Sequence, residues 1–268
     1  MINIEVLIST MNQENIDFLK KLNLSTNAVV INQSNFCEIK NLEYQNYQVQ
    51  MITKNERGLS KSRNCAISNS KSDICVIADD DITYTNDYSK IIQKAYLDNP
   101  NADIIAFQVE RVGPGKKVFR KKAKWENYLS CMKISSVEIT FRRKSIIDNN
   151  ILFNENLGAG AHFLMGEENV FLYEAMKKKL KVLYLPIKIG EVDTSESTWF
   201  KGYNAKYFQS LGAAYYNMSK YIYPFLIFQF SIRKYKLYSR EFTYKKAIKE
   251  MFKGVIEYKK NFKDKDIK

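Results

Sequence analysis

Short apolar runs alternate with amphipathic stretches over the first 110 residues. Residues 2–8 form a β-rich run that stops at Ser9-Thr10, and 14–22 carries Ile16, Leu19 and Leu22 at helical spacing. Runs at 28–31, 49–52 and 103–109 have strand length, and 74–78 is apolar throughout. Between them, 59–68 and 86–97 predict helices, the second closed by Asn99-Pro100. Continuous apolar strands separated by helices predict an α/β fold, with a mostly parallel sheet covered on both faces. In such sheets ligands bind at the carboxyl ends of the strands.

The alternation breaks at 111–125, where Gly113-Pro114-Gly115 marks a turn ahead of a basic run. A strand is expected at 137–141, a glycine-rich loop at 157–162 and a strand at 182–185 that Pro186 closes. The helix at 167–179 has acids in its first turn and lysines in its last, as the helix dipole favours. From residue 200 the chain reads as helical and aromatic. Within 243–262, Ala247, Ile248, Met251, Phe252, Val255 and Ile256 share one face, and most of the lysines lie elsewhere. That pattern predicts a basic amphipathic helix.

Composition narrows the class. With 268 residues, 10 Gly, 4 Pro and 13% aromatic residues, the chain is long enough for a large core and unlike a disordered one. Cysteines at 37, 65, 75 and 131 with a single histidine match neither a zinc site nor a disulfide scaffold, so a reducing cytoplasm is expected. No signal peptide is visible, and the longest mostly apolar run, 221–230, is about half of the roughly 20 residues a spanning helix needs. The net charge of +13 is local: 116–124 carries +6 and 231–268 carries +8, on a body near neutrality. Such patches point to an anionic surface, either nucleic acid or lipid headgroups.

Asp79-Asp80-Asp81 follows directly on the apolar strand 74–78. Adjacent like charges repel, so the cluster reads either as a solvated acidic loop or as hard oxygen ligands for Mg²⁺ or Mn²⁺ bridging to a diphosphate. Continued strand geometry would put Asp79 and Asp81 on one side and Asp80 on the other. Gly58 opens a helix with Arg63 one turn in, an arrangement able to hold a diphosphate or nucleotide. Glu167-Glu168 at a helix start reads equally as a general base or as dipole compensation. His162, the lone histidine, is either a loop residue or a metal or substrate contact.

In order and wording these motifs resemble the family 2 glycosyltransferases of the GT-A fold. The matching pieces are Val6-Leu7-Ile8-Ser9-Thr10-Met11-Asn12, Asn55 with Gly58-Leu59-Ser60 and Arg63-Asn64, Ile77-Ala78-Asp79-Asp80-Asp81, and Phe153-Asn154-Glu155 with Gly166-Glu167-Glu168. The resemblance covers roughly 1–200, and its echoes at 194–198 and 251–255 look like bacterial members that build surface polysaccharides. It implies a catalytic domain over 1–200, with a nucleotide-sugar half at 1–110 and an acceptor half at 111–200, and a helical basic extension at 201–268.

The resemblance implies that Ser9, Thr10 and Asn12 line the nucleotide pocket and that Arg63 and Gly58 help hold the nucleotide. Asp79 and Asp81 match the family's DxD motif and would hold the metal, Asp81 more directly and Asp79 nearer the ribose, with Asp80 beside the nucleotide-sugar. Glu168 matches the catalytic base, with Glu167 beside it. Where the family usually has an Asp contacting uracil, this chain has Asn32. Where it often has a histidine ligand, this chain has Asp193, and His162 is a candidate replacement that no motif aligns. Trp199 and Tyr203 are placed at the acceptor site by location.

The expected activity is inverting transfer of a sugar from a nucleotide-diphosphate sugar, with Mn²⁺ or Mg²⁺, to a saccharide hydroxyl, the acceptor being lipid-linked. The basic C-terminal helices would hold the enzyme on the inner face of the cell membrane. Nucleic acid is not expected as a partner, and the oligomeric state is open. Two rival readings are a metal-dependent sugar nucleotidyltransferase and a non-enzymatic nucleic-acid binder. The first would carry a glycine-rich basic loop, which is missing after Ser9, and the second leaves the aspartate cluster unexplained.

Overall fold

A computed structural model describes residues 2–113, 117–194 and 202–262. In chain order its elements are β1 (Ile4–Met11), α1 (Phe18–Leu22), β2 (Asn27–Gln33), β3 (Glu38–Tyr44), β4 (Tyr47–Lys54), α2 (Leu59–Asn69), β5 (Ile74–Asp79), β6 (Ile82–Tyr84), α3 (Tyr88–Asp98) and β7 (Ile104–Val112). There follow β8 (Lys124–Trp125), β9 (Ile139–Arg142), α4 (Arg143–Asp148), α5 (Glu167–Lys177), β10 (Val182–Asp193), α6 (Ala205–Met218), α7 (Tyr223–Arg233), α8 (Tyr235–Tyr238) and α9 (Tyr244–Asn261).

Among the described residues ten strands form one sheet in the order β3-β4-β2-β1-β5-β9-β7-β10-β6, with β8 added on β10. The parallel core predicted for the first 110 residues is present: β4, β2, β1 and β5 run side by side. The sheet as a whole is mixed rather than mostly parallel. β9 lies antiparallel between β5 and β7, β3 lies antiparallel on β4, and β6 and β8 lie antiparallel to β10. The pattern of apolar runs misses β3 because it is an edge strand, mostly exposed and polar. Its turn into β4 uses Gln45 and Asn46 at φ 50° and 70°, the left-handed pair that suits a tight hairpin.

Pro186 does not close its strand, as the sequence suggested. β10 runs through it to Asp193 and pairs with β7 across a register shift between Tyr184 and Lys188. A proline donates no ladder hydrogen bond, and a bulge is where a strand tolerates one. The first predicted helix is also shorter than expected, confined to Phe18–Leu22.

The chain forms two compact units. One comprises 1–57, 61–152 and 175–197; the other comprises 58–60, 153–174 and 198–268. The last division, between 197 and 198, falls near the expected boundary at 200, while 58–60 and 153–174 group with the C-terminal unit. In the first, Val6, Ile8, Val30, Val76 and Ala78 of the central strands pack with Leu19 and Leu22 of α1 and with Tyr88, Ile92 and Tyr96 of α3.

In the second unit, aromatic pairs knit the 153–174 segment together and to α9. Phe153 stacks on Phe171 at 4.3 Å between ring centroids, and Phe163 lies 5.7 Å from Tyr258. α6 and α9 cross at paired glycines: a Cβ on Gly212 would fall onto the Met251 carbonyl, and one on Gly254 onto that of Gln209. Only glycine permits this backbone approach. Gly212→Ala is therefore expected to destabilise by about 2 kcal/mol, read as a melting temperature lower by roughly 5 °C.

Candidate functional site

In the sheet unit, the polar residues gather where β1, β2, β4 and β5 end. β1 is buried as far as Thr10 and emerges at Met11. The Ser62 hydroxyl, on α2, donates to Ser9 Oγ at 2.8 Å. Asn12 adopts φ 54°, and its N–H donates to the Gln33 carbonyl at 3.1 Å. A left-handed asparagine turns the chain sharply out of the strand.

Asn32, fully buried, faces this turn. Its Nδ2 donates to the Gln13 carbonyl at 2.9 Å and its Oδ1 accepts from the Gln13 N–H at 2.9 Å. Nδ2 also reaches Thr53 Oγ1 at 3.3 Å. The side chain read from the sequence as a base contact thus braces the loop after β1. Arg57, which that reading missed, donates to the Ser34 carbonyl at 3.0 Å and lies 3.5 Å from Asn12 Oδ1. Its position beside Gly58, within the motif at 55–64, was the available signal.

The three adjacent aspartates meet three different environments. β5 ends at Asp79, and Asp80-Asp81 form the turn into β6, so strand alternation does not extend over them. Asp79 is paired with Arg63, whose Nη2 lies 3.1 Å from Oδ1 and donates to Ser136 Oγ at 2.9 Å. Arg63 is 1% exposed, so this guanidinium is a buried positioning group. Asp80 accepts a hydrogen bond from the Thr10 hydroxyl. Asp81 keeps a buried Oδ1 without any hydrogen-bond partner. Burial first, and then the charges of Asp79 and Asp80, push its carboxyl up to about 6.

The second unit holds the glycine-rich loop and the acidic pair. Gly58 adopts φ 128°, and the Leu59 N–H donates to the Ala159 carbonyl at 2.9 Å. The Ser60 hydroxyl donates to the Leu157 carbonyl at 2.6 Å. Gly158, at φ 103°, lies so close that a Cβ there would stand 3.1 Å from the Glu167 carboxyl carbon. Glu167 is buried under this loop, and Glu168, half-buried at the start of α5, accepts from Asn169 Nδ2 at 3.0 Å. Adjacent acids at one helix start thus have different exposures, Glu168 being the more accessible of the two.

His162 pairs with Glu257 at 2.5 Å, with its ring against Phe163 and Phe262. Tyr203 stands in an aromatic group with Tyr207 and Tyr238, and its N–H donates to Glu241 at 2.8 Å. Trp199 lies outside the described residues. The basic run after Gly113 is partly neutralised in place. Lys117 binds the buried Glu138 at 2.6 Å, and Arg120 clasps the buried Glu126 with both terminal nitrogens. Among the described residues no three His, Cys, Asp or Glu side chains gather as a cation cage.

Asp81 makes a pH-dependent prediction. Its carboxyl is more acidic in the unfolded chain, so the cost of burying its charge grows as pH rises from about 4 to about 6 and is fully present above. In chelator, Asp81→Asn should therefore raise the melting temperature at pH 7.5 and leave it nearly unchanged at pH 4. Equal shifts at both pH values would contradict the assignment.

Comparison with known proteins bears on the family and the fold. Residues 32–171, just over half of the chain, match the sequence profile of "Glycosyl transferase family 2". No curated protein matched the chain. Among solved structures, S. aureus TarS 1–349 in complex with UDP-GlcNAc aligns with TM-score 0.61 and 15% identity, over 89% of this chain and 74% of that one. TarS 1–349 in complex with UDP aligns with TM-score 0.60 and 15% identity, over 94% and 81%. Against S. aureus TarS itself the TM-score is 0.59 at 14% identity, over 90% of this chain and 44% of that one. These similarities establish a GT-A-type α/β fold, and the profile match over most of the sheet and the acidic helix start shows that the chain is a glycosyltransferase belonging to family 2.

Proposed function

We propose that the enzyme moves a sugar from a UDP-sugar to a hydroxyl of a saccharide, with inversion at the anomeric carbon, in the synthesis of a bacterial surface polysaccharide. The observation that carries this reading is Asp81 Oδ1, a buried carboxylate oxygen with no partner at the carboxyl end of a central strand. An atom so placed is costly unless a ligand completes it. Asp81, with Asp79 two residues before it, fits a hard divalent cation that keeps oxygen ligands of its own or of a diphosphate. The binding of UDP-GlcNAc and UDP by TarS, a protein of similar fold, supports the choice of donor.

When bound, Mn²⁺ or Mg²⁺ would neutralise the diphosphate and ease its departure. The chain's own residues do the rest. The loop after β1, braced by Asn32 and Arg57, lines the nucleotide pocket with Ser9, Thr10 and Asn12. Arg63 holds Asp79 in place through their ion pair. Glu168 takes the proton from the acceptor hydroxyl as its oxygen attacks the anomeric carbon, and the bond from that carbon to the diphosphate oxygen breaks. The acceptor is lipid-linked, and the C-terminal unit holds the enzyme in the cytoplasm on an anionic membrane face.

Thermal shift with UDP, GDP, CMP and TDP, each with and without Mn²⁺, tests the site. A Mn²⁺-dependent rise with UDP is expected, lost in Asp81→Ala. A ligand at 100 times its dissociation constant adds about 2.7 kcal/mol, well within detection. Glu168→Gln should keep the UDP shift and lower turnover by about 10²–10⁴-fold. A Glu168→Gln enzyme with undiminished turnover would remove that residue from the mechanism.

A further inference from the structure

The helix that reads from the sequence as the membrane-facing one has most of its apolar face already covered. Ala247, Met251 and Val255 of α9 are buried, with the paired glycines holding α6 against them. The exposed apolar surface lies instead on α7. Phe225, Phe228 and Ile232 are 62%, 47% and 70% exposed and fall at i, i+3 and i+7, on one stripe of the helix. Leu226, Ile227 and Ser231 are buried on its other side. The stripe continues onto the outer edge of α9, where the Phe252 ring stands 6.2 Å from Phe228 and Ile256, one turn on, is 65% exposed.

We propose that this two-helix face, Phe225-Phe228-Ile232 with Phe252 and Ile256, docks in the plane of an anionic lipid surface. The proposal deepens the membrane reading above and rests on it. Charge selects the occupant. Residues 218–240 carry Lys220, Arg233, Lys234, Lys236 and Arg240 and no acid. On α9, Lys245 and Lys249 fall on the same side as Phe252.

The acids between 202 and 262 are Glu241, Glu250 and Glu257. They are engaged by the Tyr203 N–H, by Gln209 and Lys253, and by His162. Internal acids therefore do little to balance the basic rim. A second copy on this face would set lysine against lysine, whereas headgroup phosphates complement it and the aromatic stripe enters the acyl boundary. Among the described residues no helix is long and apolar enough to cross a membrane, and an in-plane helix has no need to be.

The test is co-sedimentation of the full chain with phosphatidylglycerol–phosphatidylethanolamine vesicles and with phosphatidylcholine vesicles. Wild type should partition onto the anionic vesicles and far less onto the neutral ones. Phe225→Glu combined with Ile232→Glu should lower that partition by about tenfold or more. Leu97→Glu, at an exposed apolar position of α3, controls for added negative charge and should bind as wild type does. An unchanged UDP thermal shift in the double variant certifies its fold. Phe225→Trp gives an independent readout, a blue-shifted emission on anionic vesicles.

Failure of wild type to bind anionic vesicles would overturn the membrane reading itself. Undiminished binding by the double variant, or an unshifted Trp emission in a bound protein, would leave membrane binding standing and overturn this face. A dimer by light scattering that the double variant dissociates, with vesicle binding unaffected, would assign the face to a second copy.

Discussion

The Arg63–Asp79 ion pair organises the polar end of the sheet. Burying a guanidinium is costly unless its charge is met and its donors are used. Here it is met by a carboxylate at the last residue of β5 and by the Ser136 hydroxyl. One consequence is local: Asp79 has its charge partner, Asp80 has the Thr10 hydroxyl, and Asp81 is left against two like charges in a half-buried turn. The neighbours are satisfied first, and the remaining carboxylate is therefore the group best suited to meet a ligand from outside the chain.

The same economy of small residues and braced loops recurs around the β1 turn and in the second unit. Asn12 bends the backbone and Asn32 pins the next residue by both edges of its amide. Gly158 and Gly166 take positive φ and leave room for Glu167 and for Ala214, so that helix α5 can begin with its acids against a tight loop. Gly212 and Gly254 let α6 and α9 come close enough to cover one face of α9. That close packing leaves α7 as the helix whose apolar stripe meets solvent.

Much of the fold was legible because burial imposes a simple period. The strands at 28–31, 49–52 and 74–78 and the helices from Leu59, Tyr88 and Glu167 carry continuous or helical apolar patterns, and they appear within a few residues of where those patterns place them. β3 was not legible, since an edge strand exposed on most positions has no apolar alternation. β10 was cut short because proline normally ends a strand, and the bulge that admits Pro186 exists only in its pairing with β7. The aspartate cluster was legible as chemistry, but the differing surroundings of its three carboxyls were not. Those depend on Arg63, Thr10 and Ser136, drawn from three other parts of the chain.

By itself, then, the sequence determined the α/β class, the parallel core, the acidic turn after β5 and the acidic start of α5, because each is a local consequence of period, charge and adjacency. Tertiary structure alone decided the mixed sheet, the structural engagement of Asn32, the neutralisation of Lys117 and Arg120 by buried glutamates, and which helix exposes its apolar face. Each of these is a choice among partners distant in sequence. An amphipathic pattern says that a face will be covered, and only packing says by what.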